Sequence, residues 1–197
     1  MNHFNKIANS WDSPEKIKLM KVLAKKTIEQ ISIKNKVNIL DFGCGTGLFG
    51  LEFSHLASNL VGVDTSVGMI EVFNQKTKAK SNITSFNGDI KDFTTDLKFD
   101  LIISSMTFHH LENPELTLGL LTKFLSKEGQ ILIVDLTKED GTFHSDSNKI
   151  GVHHHGFSEQ EIKYWGSENN LSSTYTIINS IEKSNKKFDQ FLAIFTL

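Results

Sequence analysis

Apolar residues recur along this chain in two rhythms. Ile17, Met20, Ala24, Ile28 and Ile31 return every three or four positions, which predicts an amphipathic helix over about 14–32. Ser13-Pro14 places an N-cap residue ahead of a proline at the first helical position. Asn113-Pro114 opens a second helix in the same way, with Leu118, Leu121 and Leu125 on one face. Ser158-Glu159-Gln160-Glu161 has capping-box spacing, so a further helix begins near 158. The other rhythm is the short, continuous apolar run of a buried strand. Such runs occupy 37–40, 60–63, 83–86, 99–103 and 130–134, separated by segments long enough for crossover helices. That alternation predicts a mostly parallel sheet covered on both faces. The pattern then changes. Thr174 to Ile181 and Phe188 to Thr196 read as two successive strands around a Lys-rich turn, hence an antiparallel hairpin at the end of the sheet. No composition shift marks a domain boundary, so residues 1–197 are expected to form one domain. The polar connection over 137–157 is long for a compact domain, and such loops usually cover a site.

Composition narrows the function. The chain is 39% hydrophobic and carries 15 Phe, which excludes disorder as its main state. No uncharged apolar run approaches the roughly 18 residues of a membrane-spanning helix. Residues 1–12 are polar, without the apolar core of a signal peptide, so a cytoplasmic location is expected. A net charge of −2 gives no general attraction to nucleic acid or to an anionic membrane. Every basic residue is a lysine, so any bound anion must be held by lysine, backbone N–H or a helix dipole. Cys44 is the lone cysteine, which excludes an intrachain disulfide and a cysteine-based zinc cluster.

The most informative stretch is Asp41-Phe42-Gly43-Cys44-Gly45-Thr46-Gly47, D-x-G-x-G-x-G, where a buried strand enters a glycine-rich turn. Glycines there let the backbone turn tightly and let a ligand approach it closely. A helix is expected from about Gly47, and its N-terminus would favour negative charge. The second strand ends at Asp64, placed to accept hydrogen bonds from ribose hydroxyls. The third is followed by Gly88-Asp89-Ile90, where Asp89 could accept from an adenine amino group. Acids at the ends of three successive strands point to a nucleotide more strongly than any one of them. The dinucleotide fingerprint G-x-G-x-x-G fails at Leu48, which disfavours a nicotinamide-dependent oxidoreductase, and no P-loop lysine pattern occurs.

These motifs, followed by Asp100-Leu101-Ile102-Ile103-Ser104-Ser105, resemble those of class I S-adenosylmethionine-dependent methyltransferases of the small-molecule type, from about residue 4 onward. Phe4 to Asp12 is similar to an N-terminal signature that folds over the cofactor, making residues 1–33 a lid and helix. The resemblance implies a Rossmann-like, doubly wound α/β fold: a seven-stranded, mostly parallel sheet with a C-terminal antiparallel hairpin. It implies S-adenosyl-L-methionine as cofactor. Asp41, Gly43, Gly45 and Gly47 would flank its methionine part, Asp64 would hold the ribose, and Met69 would pack near the adenine. Asp89 and Ile90 would frame the base, and Ser104 and Met106 would offer backbone contacts near the amino-acid end. Trp11, Cys44 and Thr65 belong to the same expected cofactor set. Without arginine, the cofactor carboxylate falls to Lys6 or to backbone N–H groups.

After the fourth strand the chain reads Ser104-Ser105-Met106-Thr107-Phe108-His109-His110-Leu111. The N/D-P-P-Y/F motif of amino-methylating nucleic-acid enzymes is absent, and no acidic loop of the protein arginine type is evident. Phe-His-His-Leu resembles small-molecule enzymes, so the expected partner is a small-molecule acceptor with an oxygen, nitrogen, carbon or sulfur nucleophile, not nucleic acid or membrane. Methyl transfer is an in-line displacement, and a base is needed only where the nucleophile must lose a proton. His109 is the candidate catalytic residue, with His110 beside it, because imidazole titrates near neutrality; both could instead pack or cap a helix start. His144 and His153-His154-His155 could face the acceptor, bind a metal or form a solvated loop. The placement of similar loops in relatives favours a lid over the acceptor, and no metal is expected. A protein that binds the cofactor without catalysis, or serves as a regulatory subunit, is the alternative.

Overall fold

The computed structural model describes residues 2–33, 35–144 and 151–197. Seven strands form one sheet: β1 (Val37–Phe42), β2 (Ala57–Asp64), β3 (Ile83–Asn87), β4 (Phe99–Ser105), β5 (Leu125–Leu136), β6 (Ser172–Lys183) and β7 (Lys186–Thr196). Their order is β3-β2-β1-β4-β5-β7-β6. The first five run parallel, and β7 pairs antiparallel with both β5 and β6. This is the mostly parallel sheet with a terminal hairpin that the alternating pattern predicts, in the doubly wound, Rossmann-like form that the family resemblance implies. Ser184 and Asn185 make the hairpin turn, both with positive φ (51° and 59°), the conformation a two-residue connection needs to match strand twist.

The central strands are apolar on both faces because each face is covered. Helices α1 (Asn2–Ile7), α2 (Pro14–Ile28) and α3 (Val67–Thr77) precede α4 (Pro114–Thr122) and α5 (Glu159–Glu168). Leu23 and Ala24 of α2 and Ile70 and Phe73 of α3 pack with Ile39, Leu60 and Ile103 on one face. Leu118 and Leu121 of α4 and Ile162 and Trp165 of α5 pack with Leu40, Ile102 and Ile133 on the other. Two of the three capping signals work as read, whereas Asn113 makes no side-chain cap and Pro114 alone marks the start of α4. Ser13 accepts from Lys16 N, and Ser158 and Glu161 form a reciprocal capping box.

Three boundaries differ from the sequence reading. Helix α2 stops at Ile28, although Ile31 and Ile33 still pack, partly buried, against the same core. Leu125 leaves the face of α4 to begin β5, opposite Phe99. No α-helix follows Gly47. Because β2 already starts at Ala57, residues 48–56 have room only for a short 3-10 turn at Gly50–Phe53. A helix-dipole contribution at that turn therefore falls away, and backbone and side-chain groups carry the site. No helix among the described residues is long and apolar enough to cross a membrane.

Candidate active site

The carboxyl ends of β1, β2 and β4 open into a cavity of about 710 Å³, within the range of roughly 300–1,000 Å³ usual for small-ligand sites. One end of it is the glycine turn. Gly43, Gly45 and Gly47 have φ of +69°, +51° and +85°, the left-handed region a side chain resists. The turn is tied to β2: Gly43 N and Cys44 N both donate to Val63 O, and Gly45 N donates to Asp64 Oδ2 at 2.8 Å. Asp64 Oδ1 accepts from Ser66 N at 2.8 Å. Each carboxylate oxygen of Asp64 thus spends one lone pair on the backbone and keeps another for a ligand. Burial holds its carboxyl above the usual carboxylate range.

Asp41 is the most costly group at this end. It is 2% exposed, and its Oδ2 has no hydrogen-bond partner among the described residues. Burial, then the nearby Asp64 charge, pushes its carboxyl up to about 8. Its Oδ2 lies against Gly50, at a place where any Cβ would collide with it. A buried, unpaired carboxyl lining a cavity is a receptor for a cation or a donor-rich ligand.

The N-terminal segment closes over this turn. Ser66 Oγ donates to Asn5 Oδ1 at 2.6 Å, and Thr46 Oγ1 donates to Asp12 Oδ1 at 2.6 Å. Lys76 bridges the two partners, pairing with Asp12 at 2.6 Å and donating to Thr46 O at 2.7 Å. Trp11 lines the cavity, with Lys16 Nζ 3.3 Å from its ring centroid. Lys16 is the only lysine lining the cavity among the described residues, and partial burial lowers its ammonium from the usual range.

The other end is built of rings. His109 is 1% exposed and sits in a short 3-10 turn after β4. Its Nδ1 lies 2.7 Å from Asp135 Oδ1, and its backbone N donates to Asp135 Oδ2 at 3.2 Å. Asp135, near the end of β5, is fully buried and also accepts from Leu136 N at 2.7 Å. Burial works against its charge, but His109 and these hydrogen bonds outweigh it and hold the carboxyl below the usual range. His109 Nε2 has no partner among the described residues, and the residue lines the cavity. An imidazole fixed through Nδ1 by a buried carboxylate, with a buried Nε2 that has no partner and a ring that lines the cavity wall, has the arrangement of a general base.

The connection after β5 folds back onto this end. Thr137 bridges Phe157, Glu139 N donates to His155 O, and His153 N and His154 N both donate to His109 O. Gly156 makes this return feasible: its φ is +74°, and a Cβ there would collide with Thr137 O. Phe143, His144, Gly151 and His153 reach the cavity. Within the expected loop over 137–157, residues 145–150 lie outside the described residues. Burial, then His109, pushes both His110 and His144 down to about 4, so both are neutral at pH 7. His154 and His155 do not line the cavity. Among the described residues no group of three or more His, Cys, Asp or Glu is placed to hold a metal ion.

Of the residues singled out from sequence, Trp11, Asp41, Gly43, Cys44, Gly45, Asp64, Thr65, Met69, Met106 and His109 line this one cavity. Met106 does so with φ of +54°, a strained conformation for a side chain, held by its N–H donating to Val134 O. Five others sit elsewhere. Gly47 faces Leu51 and Phe73. Asp89 caps the turn at Ile90–Asp92 by accepting from Lys91 N, Ile90 is buried in the core, and Gly88 lines the cavity in their place. Ser104 points into the sheet, its hydroxyl donating to Phe42 O at 2.8 Å. Lys6 is exposed and off the cavity, and Lys16 is the lysine that reaches it. Lys16, Asp135 and Phe143 are missing from the sequence reading. Asp135 had a signal, an acid inside an otherwise apolar strand. Lys16 and Phe143 had none.

This geometry agrees with sequence and fold comparisons. A methyltransferase of Schizosaccharomyces pombe, itself uncharacterised, is 29% identical over an alignment covering 82% of this chain and 75% of that protein. A malonyl-[acyl-carrier protein] O-methyltransferase of Priestia megaterium is 32% identical, over 71% of this chain but only 51% of the longer relative. Among solved structures, DhpI in complex with S-adenosylhomocysteine (SAH) superposes with a TM-score of 0.75 at 17% identity, over 98% of this chain and 93% of that one. The profile of the methyltransferase domain family matches residues 33–193, and the chain belongs to that family, as a class I S-adenosylmethionine-dependent methyltransferase.

Proposed function

We propose that this enzyme transfers a methyl group to a small-molecule acceptor, with His109 as general base. The observation that carries this reading is the single cavity in which the glycine turn and Asp64 stand at one end and the His109–Asp135 pair at the other. The cofactor-end residues fit S-adenosylmethionine. The unpartnered Asp41 Oδ2 would take its ammonium, Lys16 its carboxylate, and the spare lone pairs of Asp64 its ribose hydroxyls. Thr65 and Met69 would pack at the adenosine end, and Trp11 with the N-terminal segment would exclude water. When bound, S-adenosylmethionine supplies the methyl carbon, which bonds to the acceptor lone pair as the carbon–sulfur bond breaks toward sulfur. His109 Nε2 would accept the acceptor's proton, and Asp135 would hold the ring's tautomer and stabilise the imidazolium. The protein's larger contribution is orientation, worth several kcal/mol in favourable cases. We propose the N-terminal segment as a lid on the cofactor and the 137–157 connection as a cover on the acceptor.

Calorimetric titration with S-adenosylmethionine and SAH, with NADH as control, tests the cofactor end. Micromolar binding of the sulfur compounds alone is expected, and binding of NADH alone would overturn the assignment. Cofactor binding without turnover on any acceptor would favour the non-catalytic alternative.

A further inference from the structure

A continuous succession of rings drawn from distant parts of the chain walls the cavity from Trp11, beside the cofactor end, to Phe143 at the acceptor end. Trp11 meets Phe4 edge-on at 5.7 Å, and Phe4 meets His110 edge-on at 5.2 Å. His110 lies 4.1 Å from His109, His109 lies 5.0 Å from His144, and His144 meets Phe143 at 4.8 Å. We infer that this wall selects an uncharged, planar aromatic hydroxy compound, a phenol, as the methyl acceptor. The inference rests on the methyl-transfer reading above and deepens it.

Three observations favour a phenol over other nucleophiles. The first is the wall itself. Flat rings are received by other rings edge-on or offset, whereas a saturated ring gains only apolar contact. The second is charge. Asp135 is taken up by His109, Lys16 lies at the Trp11 end, and Lys183 lies at the Phe143 end with its ammonium bonded to Phe143 O. His110 and His144 between them are neutral at pH 7, so an anionic carboxylate would be desolvated against these rings with neither lysine facing it. The third is the base. The unpartnered Nε2 of His109 is of use to a nucleophile that must shed a proton before it attacks. An aromatic amine such as aniline is already neutral at pH 7 and attacks through its lone pair without such a step, whereas an aliphatic amine is a cation there and would be desolvated against the same rings. A phenol's acidity, near that of tyrosine at about 10, is within reach of a histidine base; an aliphatic alcohol's is not. The proton passes from the phenol oxygen to Nε2 and later to solvent, and the oxygen lone pair forms the new bond.

The test uses the whole protein and four probes: 2-naphthol, benzoate, aniline and cyclohexanol. With SAH saturating, titration should show 2-naphthol binding at least tenfold more tightly than each of the others. With S-adenosylmethionine, SAH formation should be at least tenfold faster with 2-naphthol. Phe143→Leu keeps apolar bulk and removes a ring. It should weaken 2-naphthol binding about tenfold and leave SAH affinity unchanged. His109→Gln should retain 2-naphthol binding within about threefold and lose turnover. Equal or better binding and turnover with benzoate, aniline or cyclohexanol would overturn the phenol inference and leave methyl transfer standing. Binding of SAH with no 2-naphthol binding would overturn it as well. Failure to bind SAH at all would remove the methyl-transfer reading beneath it.

Discussion

The two ends of the cavity are built on opposite plans. The cofactor end takes its groups from short, consecutive segments: 41–47 and 64–69, with the backbone doing much of the bonding through Gly45 and Ser66. The acceptor end takes single side chains from 109, 135 and 144, joined by ring contacts and one buried imidazole–carboxylate pair. The first is polar, with buried acids held above their usual range. The second is aromatic, with the imidazoles of His110 and His144 held below theirs. A shared methyl donor calls for a fixed receptor, which local backbone geometry supplies. The acceptor end is assembled only by the tertiary fold, so it can change one side chain at a time.

The sharpest separation of the two ends comes from the base. His109→Ala or Asp135→Asn should lower turnover by about 10²–10⁴-fold and leave S-adenosylmethionine affinity nearly unchanged, measured by SAH release and by calorimetry. A comparable loss of cofactor affinity would erase the distinction between the ends. In the opposite direction, Asp64→Ala should weaken cofactor binding by about 1–3 kcal/mol, roughly 5- to 150-fold. Affinity equal to the wild type would remove Asp64 from the cofactor end.

Asp41 adds a pH test. Its carboxyl is raised to about 8 in the folded protein, against an ordinary value near 3.8. Between those values the folded chain keeps a proton that the unfolded chain has released. That contribution to stability is therefore full at acid pH and is lost as pH rises through 8. The stability of wild type relative to Asp41→Asn should fall from pH 5 to pH 8, followed by denaturant unfolding. Pairing with the cofactor ammonium should also expel the proton. At pH 7 the binding enthalpy should then vary with the buffer's ionisation enthalpy in the wild type and not in Asp41→Asn. The smallest effect lies away from both ends. Ser158→Ala removes half of a capping box and should cost about 1 kcal/mol of stability, read as a lower denaturation midpoint, without altering cofactor affinity.

The same contrast explains what could be read from sequence. The succession of strands along the chain and the glycine turn follow from local pattern: apolar runs at 37–40 and 99–103, the D-x-G-x-G-x-G spacing, and Asp64 at a strand end. The missing helix after Gly47 was hidden because β2 begins three residues before its apolar run, at Ala57 rather than Leu60. His109 stood out by residue type, but its partner Asp135 is 26 residues away and meets it only because β4 and β5 are neighbours in the sheet. Asp89 caps a turn in the folded chain, a role that an aspartate after a strand takes as readily as meeting a base. Lys16 reads as one more exposed lysine of an amphipathic helix until the fold sets it over Trp11.

The position of β7 has a consequence for how the chain is made. It is the last of the seven strands to leave the ribosome, yet it lies inside the sheet, between β5 and β6. Until residues 186–196 emerge, β5 presents an unpaired edge along Ile131–Leu136, an apolar stretch well suited to pairing with another chain. A nascent chain stalled before Lys186 therefore carries a finished glycine turn beside an open, adhesive edge. The sooner residues 186–196 follow, the shorter the time that edge is open to another chain.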